Sequence, residues 1–175
     1  MNLWHDIAPG SADEMTVIVE NPRGSKNKYE VDKETGLIAL DRVLHTAQDF
    51  PVEYGFIPQT LLDDGDAVDA IMLSTYPFDP GVLVRMRPVA LVRMIDSGEN
   101  DYKILGVPAK DPRWDDVKDL ADVNKHTLKE IEHFFTTYKQ IQNKVVTIEG
   151  FGTATDAREA FERGKKLYAE KFSKK

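Results

Sequence analysis

The first two thirds of the chain show short apolar runs separated by turn-forming residues. Runs with strand character lie at 15–20, 28–32, 36–44, 52–57, 67–73, 81–95 and 102–107. The turn signals KETG and DSGEND stand between such runs, as they do in hairpins. The run 81–95 is long enough for one bent strand or for two strands, because Pro88 marks a bend or an edge. Many short strands with regular turns predict a barrel or a sandwich.

The apolar period changes beyond residue 124. Within 124–143, apolar side chains recur every three or four positions, at Leu128, Ile131, Phe135, Tyr138 and Ile141. This spacing is typical of an amphipathic helix with one apolar stripe. A short strand is expected after it, at 144–151.

A second helix is predicted to begin at Asp156. The Asp156 carboxylate can cap this helix, and Glu159 lies three positions further on, as in a capping box. Its apolar side would be formed by Phe161, Leu167, Tyr168 and Phe172. The whole pattern predicts an α+β fold, in which a β-rich barrel is followed by two main helices in the C-terminal half.

Composition narrows the class of protein. With 175 residues, 41% of them apolar and 30% charged, the chain is expected to form one globular domain, 1–175, with a real core. It has no apolar run near the length of a membrane span and no secretory signal pattern at its start. The absence of Cys excludes disulfides and thiolate sites and favours a cytoplasmic location. The net charge of -7 disfavours nucleic acid and anionic membranes as partners.

Four aspartates fall within seven positions of the segment LLDDGDAVDA, at Asp63, Asp64, Asp66 and Asp69. Two carboxylates about 4 Å apart repel by roughly 4 kcal/mol at an effective dielectric constant near 20. A folded chain needs to offset that repulsion by solvation on a loop, by a shared proton or by a bound cation. The segment alone leaves these three alternatives open, although it lacks the pattern of an EF-hand calcium loop.

Further acids recur at strand ends and turns, where several strands of a barrel can meet at one mouth. Glu20 ends one predicted strand, Glu30 lies on the polar face of the next, and Asp96 and Asp101 bracket the turn DSGEND. Carboxylate oxygens of this kind suit Mg²⁺, which is bound through a few carboxylates together with substrate phosphates. The acids therefore indicate a magnesium site.

Cations and phenols show a similar distribution, at Lys28, Arg42, Lys103, Lys139, Tyr54 and Tyr138. Arg and Lys clamp phosphoryl oxygens, so a site with both carboxylates and cations suits a metal-bridged phosphate. Simpler readings stay open for some of them. Tyr138 fits the helix stripe as plain core, Lys28 can pair with Glu30, and Arg42 can pair with Asp41.

The order of the motifs KYEVD, LDRVL, FPVEYGFIP, DDGDAVDA, MIDSGENDYK and HFFTTYK resembles that of the soluble family I inorganic pyrophosphatases. The resemblance runs from about residue 15 to 155. It implies an OB-like five-stranded β-barrel with helices, Mg²⁺ as cofactor, pyrophosphate as substrate and phosphate as product. Bacterial and archaeal members of that family are commonly hexamers, so the resemblance also implies a homohexamer.

The resemblance implies a set of metal ligands. Asp64, Asp69 and Asp101 match the ligands of a first metal ion, and Asp69 would also reach a second. Asp96 and Asp101 match acids that hold a further ion arriving with the substrate, and Glu30 matches a ligand of another.

The resemblance assigns the remaining roles as well. Asp66 matches the general base that takes a proton from the attacking water. The groups that hold phosphate oxygens match Lys28, Arg42, Tyr54, Tyr138 and Lys139. Glu20 and Lys103 match supporting polar positions of the same cavity.

Two departures from the family pattern lie close to this set. Ala67 stands where the signature usually has Pro, and Phe50 stands where many members have Tyr. Neither removes a ligand, so the chain is expected to be an active enzyme. A pyrophosphatase-like subunit without catalysis and an OB-type module that binds single-stranded nucleic acid are the alternatives. The module would need a basic groove with stacking aromatic side chains, which the acidic composition disfavours.

Overall fold

The structure, a computed structural model, describes residues 1–172. Its strands are β1 (Met15–Asn21), β2 (Asn27–Val31), β3 (Ile38–Val43), β4 (Glu53–Phe56), β5 (Asp69–Met72), β6 (Leu83–Asp96), β7 (Glu99–Asn100), β8 (Lys103–Pro108) and β9 (Val146–Gly152). Its helices are α1 (Lys125–Thr137) and α2 (Ala154–Phe172), and short 3₁₀ turns lie at Pro112–Trp114, Leu120–Asp122 and Gln140–Gln142. The predicted order of elements is confirmed.

Five strands form a closed ring in the order β1, β4, β5, β8, β6, because β1 pairs with both β4 and β6. The pairing of β5 with β8 is parallel, and the other pairings in the ring are antiparallel. Strands β7 and β9 extend the sheet from β6, while β2 and β3 form a separate hairpin. The predicted α+β fold with a five-stranded barrel-like ring is confirmed.

The run around Pro88 forms one strand, β6, and not two. Its register against β8 shifts between Pro88 and Ala90, which marks a bulge. A bulge accommodates a residue that cannot donate to the ladder and bends the strand. The bend lets β6 pair with β1 through its first half and with β9 through its second half.

Helix α1 is shorter than the apolar period predicts. The side chain of Asn124 caps its start by accepting from the backbone N–H groups of His126 and Thr127, and Tyr138 is the last cap residue. The chain then makes a 3₁₀ turn and a left-handed residue, Asn143. The expectation that Ile141 continues the apolar stripe is wrong, because this turn leaves the side chain 66% exposed.

Helix α2 begins two residues before the predicted start. Thr153 and Asp156 exchange hydrogen bonds: the Thr153 N–H donates to Asp156 Oδ2 at 2.6 Å, and the Asp156 N–H donates to Thr153 Oγ1 at 3.4 Å. This is the geometry of a capping box. The expected box of Asp156 with Glu159 is therefore wrong, and Asp156 is its second member.

The helices cover two parts of the ring. Helix α1 buries Ile131, Phe134 and Phe135 against one part of the core. Helix α2 buries Ala157 and Phe161 against the other. Within residues 1–172, neither helix combines the length and the apolar character that a bilayer crossing needs.

Candidate active site

The parallel pairing of β5 and β8 brings the predicted acids to one edge of the sheet. Asp69 and Lys103 begin these strands and are direct neighbours in the register. The loop with Asp64 and Asp66 precedes β5, and Asp101 precedes β8. Strand β6 runs antiparallel to β8, so its last residue, Asp96, reaches the same edge.

A cavity of about 520 Å³ opens at this edge. It is lined by every residue predicted for the site except two, namely by Glu20, Lys28, Glu30, Tyr54, Asp64, Asp66, Asp69, Asp96, Asp101, Tyr138 and Lys139. The two exceptions are Arg42 and Lys103. Most of the residues predicted from the sequence thus line one cavity, although they lie far apart along the chain.

Lys103 lies beneath the cavity floor, and only 2% of its side chain is exposed. Its Nζ atom donates to Asp69 Oδ2 at 2.7 Å, to Asp101 Oδ1 at 3.0 Å and to the Tyr54 hydroxyl at 3.1 Å. The Tyr54 hydroxyl in turn donates to Asp69 Oδ2 at 2.5 Å. Burial lowers the pKa of Lys103, but Asp69 and Asp101 outweigh it and hold the pKa above its ordinary value. The lysine therefore stays charged.

Burial, with a smaller contribution from neighbouring acids, raises several carboxyl pKa values in the cavity. Burial, together with the charge of Asp69, raises the pKa of Glu20 to about 8. Burial also raises the pKa of Asp64, and the neighbouring carboxylates of Asp66 and Asp101 add to the shift. The pKa of Asp101 is raised mainly by burial, against the lowering effect of Lys103. An added positive charge would offset the repulsion among these neighbouring carboxylates.

Other lysines pair with the remaining acids. Lys139 Nζ lies 2.5 Å from Asp96 Oδ2, and Lys33 donates to Asp66. Burial raises the pKa of Asp96, but the hydrogen bond and charge of Lys139 outweigh it and lower the pKa. Ammonium groups are thus counter-ions of the carboxylates here.

The hairpin β2–β3 forms another wall of the cavity. Lys28 pairs with Glu30 on the same strand, and its Nζ atom lies 3.6 Å from Asp41 Oδ2. Arg42 is the register neighbour of Lys28 and donates to Asp41 Oδ2 at 2.6 Å. Burial lowers the pKa of Lys28, and the nearby charge of Arg42 lowers it further. Arg42 therefore lies behind the wall and acts on the cavity through its charge.

Glu20 and Asn21 attach this hairpin to the ring. The Asn21 side chain accepts from the Tyr29 N–H and donates to the Tyr29 carbonyl at 3.1 Å. Glu20 Oε1 accepts from the Val31 N–H at 2.9 Å. Glu20 thus both lines the cavity and fixes the position of β2.

The sequence reasoning missed several residues of the cavity wall, namely Asn2, Trp4, Lys33, Glu99 and Lys144. The Trp4 indole N–H donates to the Thr60 carbonyl at 3.0 Å, and Lys33 Nζ lies 5.7 Å from the centroid of the Trp4 ring. Asn2 and Trp4 lie outside every run and motif of the sequence analysis, because their contacts connect the N-terminal segment to distant parts of the chain. Lys33, Glu99 and Lys144 lie in predicted turns and strands, but nothing in those patterns indicated that they face the cavity.

The donor set of the cavity fits divalent cations that prefer oxygen. Five aspartates, those at 64, 66, 69, 96 and 101, line it, and their crowding favours an added cation. In the arrangement described for residues 1–172, no three acidic side chains are grouped closely enough to hold one ion by themselves. Lys103 lies between Asp69 and Asp101.

The two departures from the family pattern lie in different places. Ala67 lines the cavity. Phe50 is buried in the core, where its ring packs 5.7 Å from the ring of Tyr54 and 5.2 Å from that of Phe134.

Tyr138 stacks on Phe134 at 5.0 Å and also lines the cavity, so it is both a core and a cavity residue.

A family model described as inorganic pyrophosphatase matches residues 17–169. The chain belongs to the inorganic pyrophosphatase family. It is 50% identical over 149 residues to an inorganic pyrophosphatase of Leifsonia xyli, covering 85% of this chain and 91% of that protein. It is 43% identical over 176 residues to one of Haloferax volcanii, covering 99% of each.

Solved structures of the family have the same fold. The inorganic pyrophosphatase of Thermus thermophilus aligns with a TM-score of 0.92 at 42% identity, over 96% of this chain and 99% of that one. The enzyme of Helicobacter pylori aligns with a TM-score of 0.90 at 41% identity, over 93% and 98% of the two chains. The pyrophosphatase fold therefore extends over nearly the whole chain described here.

Proposed function

We propose that this chain hydrolyses inorganic pyrophosphate to two orthophosphates in the cavity at the edge of β5 and β8. The observation that supports this best is the composition of the cavity wall, where five aspartates lie together with the cations Lys28 and Lys139. Pyrophosphate carries several negative charges, so its binding requires cations, and a mixed wall of this kind provides for both metal and phosphate. The family membership supports the same reaction.

Mg²⁺ is the proposed cofactor, with several ions in one site. Asp64, Asp69 and Asp101 would hold a first ion, and Asp69 would extend to a second. Asp96 and Asp101 would hold a further ion, and Glu30 another. When bound, these ions neutralise phosphoryl oxygens and lower the pKa of water.

Asp66 is the proposed general base. Its carboxylate takes a proton from the water that attacks one phosphorus atom in line with the bridging oxygen. A new P–O bond forms, the bond to the bridging oxygen breaks, and the second phosphate leaves with that oxygen. No covalent bond to the chain is formed at any step.

Cations and phenols around the base would hold the substrate. Lys28 and Lys139 both line the cavity and would act as donors to phosphate oxygens, and Arg42 adds charge next to Lys28. The hydroxyl of Tyr138 would be a further donor, and the Tyr54 hydroxyl, which donates to Asp69 in this structure, would turn to the phosphate when substrate binds. Such groups stabilise the charge that develops on the phosphoryl oxygens, while Glu20 and Lys103 keep the wall in place.

The test is a phosphate-release assay on pyrophosphate, with Mg²⁺ and with a chelator. We expect rapid Mg²⁺-dependent release. No release from folded protein at any Mg²⁺ concentration would favour the alternative of a subunit without catalysis. Filter binding with single-stranded DNA is the parallel assay for a nucleic-acid module, and we expect no retention because the cavity is lined by acids.

The remaining expectations concern assembly and location. We propose a homo-oligomer, with a hexamer as the expected state, and light scattering on the purified chain measures its mass directly. A cytoplasmic location stays a prediction from the absence of Cys.

A further inference from the structure

Arg163 on α2 bridges two loops of the site from outside the cavity. Its Nη2 atom lies 2.6 Å from Asp63 Oδ2, and its Nη1 atom donates to the hydroxyl of Tyr102. Arg163 itself is not part of the cavity wall. One guanidinium group thus contacts two residues that lie 39 positions apart in the sequence.

Each partner of Arg163 is the immediate neighbour of a proposed metal ligand. Asp63 precedes Asp64, and Tyr102 follows Asp101. Consecutive Cα atoms lie about 3.8 Å apart, so a bond to one residue restrains the backbone of the next. Arg163 therefore restrains the two loops that carry Asp64 and Asp101.

The helix that carries Arg163 is docked tightly against the first of these loops. The Leu61 N–H donates to the carbonyl of Gly164 at 3.0 Å. A Cβ atom on Gly164 would lie only 2.6 Å from Cγ2 of Val68, so the absence of a side chain permits this approach. The base of the Arg163 side chain is therefore fixed against the segment that leads into the acidic loop.

Without such a restraint, repulsion between their acids would push the two loops apart. Asp64 on one loop and Asp101 on the other carry like charges and repel each other. An arginine side chain has a planar group with several donors, which suits it to hold a carboxylate and a hydroxyl in one geometry. Arg163 can supply a cation and two hydrogen bonds on the outer side, where it does not compete with an ion in the cavity.

We propose that Arg163 is a positioning residue, which fixes the spacing of the Asp64 and Asp101 loops and so sets the Mg²⁺ affinity of the site. The inference rests on the proposed function, because it takes these two acids as ligands. It concerns a residue that does not touch substrate or metal. Removal of Arg163 would weaken metal binding without removing a ligand.

The test compares Arg163→Met with Arg158→Met. Arg158 lies on the same helix and pairs with Asp13 at 2.8 Å, so its replacement removes a similar ion pair away from the loops. Mg²⁺ binding is measured by calorimetry without substrate. Groups that bond directly to metal ligands typically change affinity 10–100-fold. Arg163 bonds only to the chain neighbours of the ligands, and exposed ion pairs contribute less. We therefore expect the Kd for Mg²⁺ to rise about three- to tenfold in Arg163→Met and to stay unchanged in Arg158→Met.

Two further variants separate positioning from general stability. Tyr102→Phe removes the hydroxyl that Arg163 contacts, and Asp63→Asn removes the charge of its other partner. Both keep the arginine, and each is expected to raise the Kd by a smaller factor. Arg163→Lys keeps the charge without the planar fork and is expected to lie between wild type and Arg163→Met. Hydrogen exchange of the amides of 61–67 and 100–103 should become faster in Arg163→Met, by a smaller factor in the two partner variants, and should stay unchanged in Arg158→Met.

The outcomes distinguish this inference from the proposed function. If the wild type binds Mg²⁺ and releases phosphate while Arg163→Met and both partner variants bind Mg²⁺ as tightly as Arg158→Met, the inference is wrong and the function stands. If the wild type neither binds Mg²⁺ nor releases phosphate, both are wrong. Should Arg163→Met not fold, Tyr102→Phe and Asp63→Asn decide the question alone.

Discussion

Lys103 Nζ lies 2.7 Å from Asp69 Oδ2, and the two residues are register neighbours on parallel strands. The lysine is buried, whereas the carboxylate faces the cavity. A buried cation thus lies directly beneath a proposed metal ligand. The positive charge of Lys103 therefore partly balances the negative charges of Asp69 and Asp101 before any metal ion binds.

Lys103→Met should destabilise the chain most strongly when Mg²⁺ is absent. The variant leaves Asp69 and Asp101 crowded without a counter-ion, and removal of one partner of a buried pair costs about 3 kcal/mol or more. We expect this loss in the free energy of unfolding, measured by urea denaturation in a chelator, and a smaller loss in Mg²⁺. Lys110→Met, at an exposed position, is the control. A loss that does not depend on Mg²⁺ would contradict the balance described above.

Asp66→Asn should keep the fold and lose the reaction. The amide cannot take a proton from water, and a general base typically contributes about 10²- to 10⁴-fold. We expect kcat for pyrophosphate to fall by about that factor, whereas thermal unfolding and Mg²⁺ binding by calorimetry change little. Asp116→Asn removes an exposed acid and should keep full activity. Turnover near that of the wild type in Asp66→Asn would refute the assignment of the base.

Mg²⁺ should stabilise the wild-type chain, and Asp69→Asn should remove most of that effect. A ligand that binds only the folded state adds about 2.7 kcal/mol at a concentration one hundred times its Kd. Asp69 is the proposed link between two ions, so its loss weakens both. Thermal unfolding at increasing Mg²⁺, with K⁺ at equal ionic strength as the control, measures the shift in Tm. An equal shift in both proteins would exclude Asp69 as a ligand.

Asp119 should make the attachment of α2 dependent on pH. Its carboxylate accepts hydrogen bonds from the backbone N–H groups of Ala154 and Leu120, each at 2.8 Å, and the bond from Ala154 is the main cause that lowers the pKa of Asp119. A lowered folded-state pKa contributes stability in full above the unfolded value of about 3.9, and that stability is lost as the pH falls through the folded-state pKa.

Urea denaturation of Asp119→Ala tests this dependence. The variant should be less stable than wild type at about pH 6, and the difference should shrink toward about pH 3. Asp116→Ala, an exposed acid without such bonds among the contacts described, should show no difference at either pH. A gap between Asp119→Ala and wild type that stays constant with pH would contradict the role of the ionised carboxylate.

The strand pattern of the first half was predictable because each segment carries its own signal. Alternation, apolar runs and turn residues indicate strands locally, and Pro88 is a local signal for a bend. The acids of the site could also be found from local signals, because they stand at the ends of predicted strands and in turns between them. The aspartates at 64, 66 and 69 all line the cavity.

Local sequence signals led to a wrong prediction where two local structures matched the same residues equally well. Thr153 and Asp156 are three apart, as are Asp156 and Glu159, so both pairs have the spacing of a capping box. The structure uses the first pair. Ile141 keeps the helical period, but the chain leaves the helix before reaching it.

Contacts between distant segments could not be predicted at all. Lys33 pairs with Asp66, and Trp4 reaches the same cavity from the N-terminal segment. Arg163 joins residues 63 and 102, and neither its own neighbours nor any period indicates this. Such contacts depend on the packing of the whole ring, which one-dimensional patterns do not contain.

Enzyme activity depends on the correct alignment of strand β6, so activity can be used to test whether folding is complete. It pairs with β1, β7, β8 and β9, and it delivers Asp96 to the cavity from its last position. A slip of one residue along this strand would displace Asp96 by about 3.3 Å and turn its side chain to the opposite face. Because Asp96 is a proposed metal ligand, a refolded sample with native helix content but a misaligned β6 should hydrolyse little pyrophosphate. Phosphate release during refolding should then appear later than the helical signal.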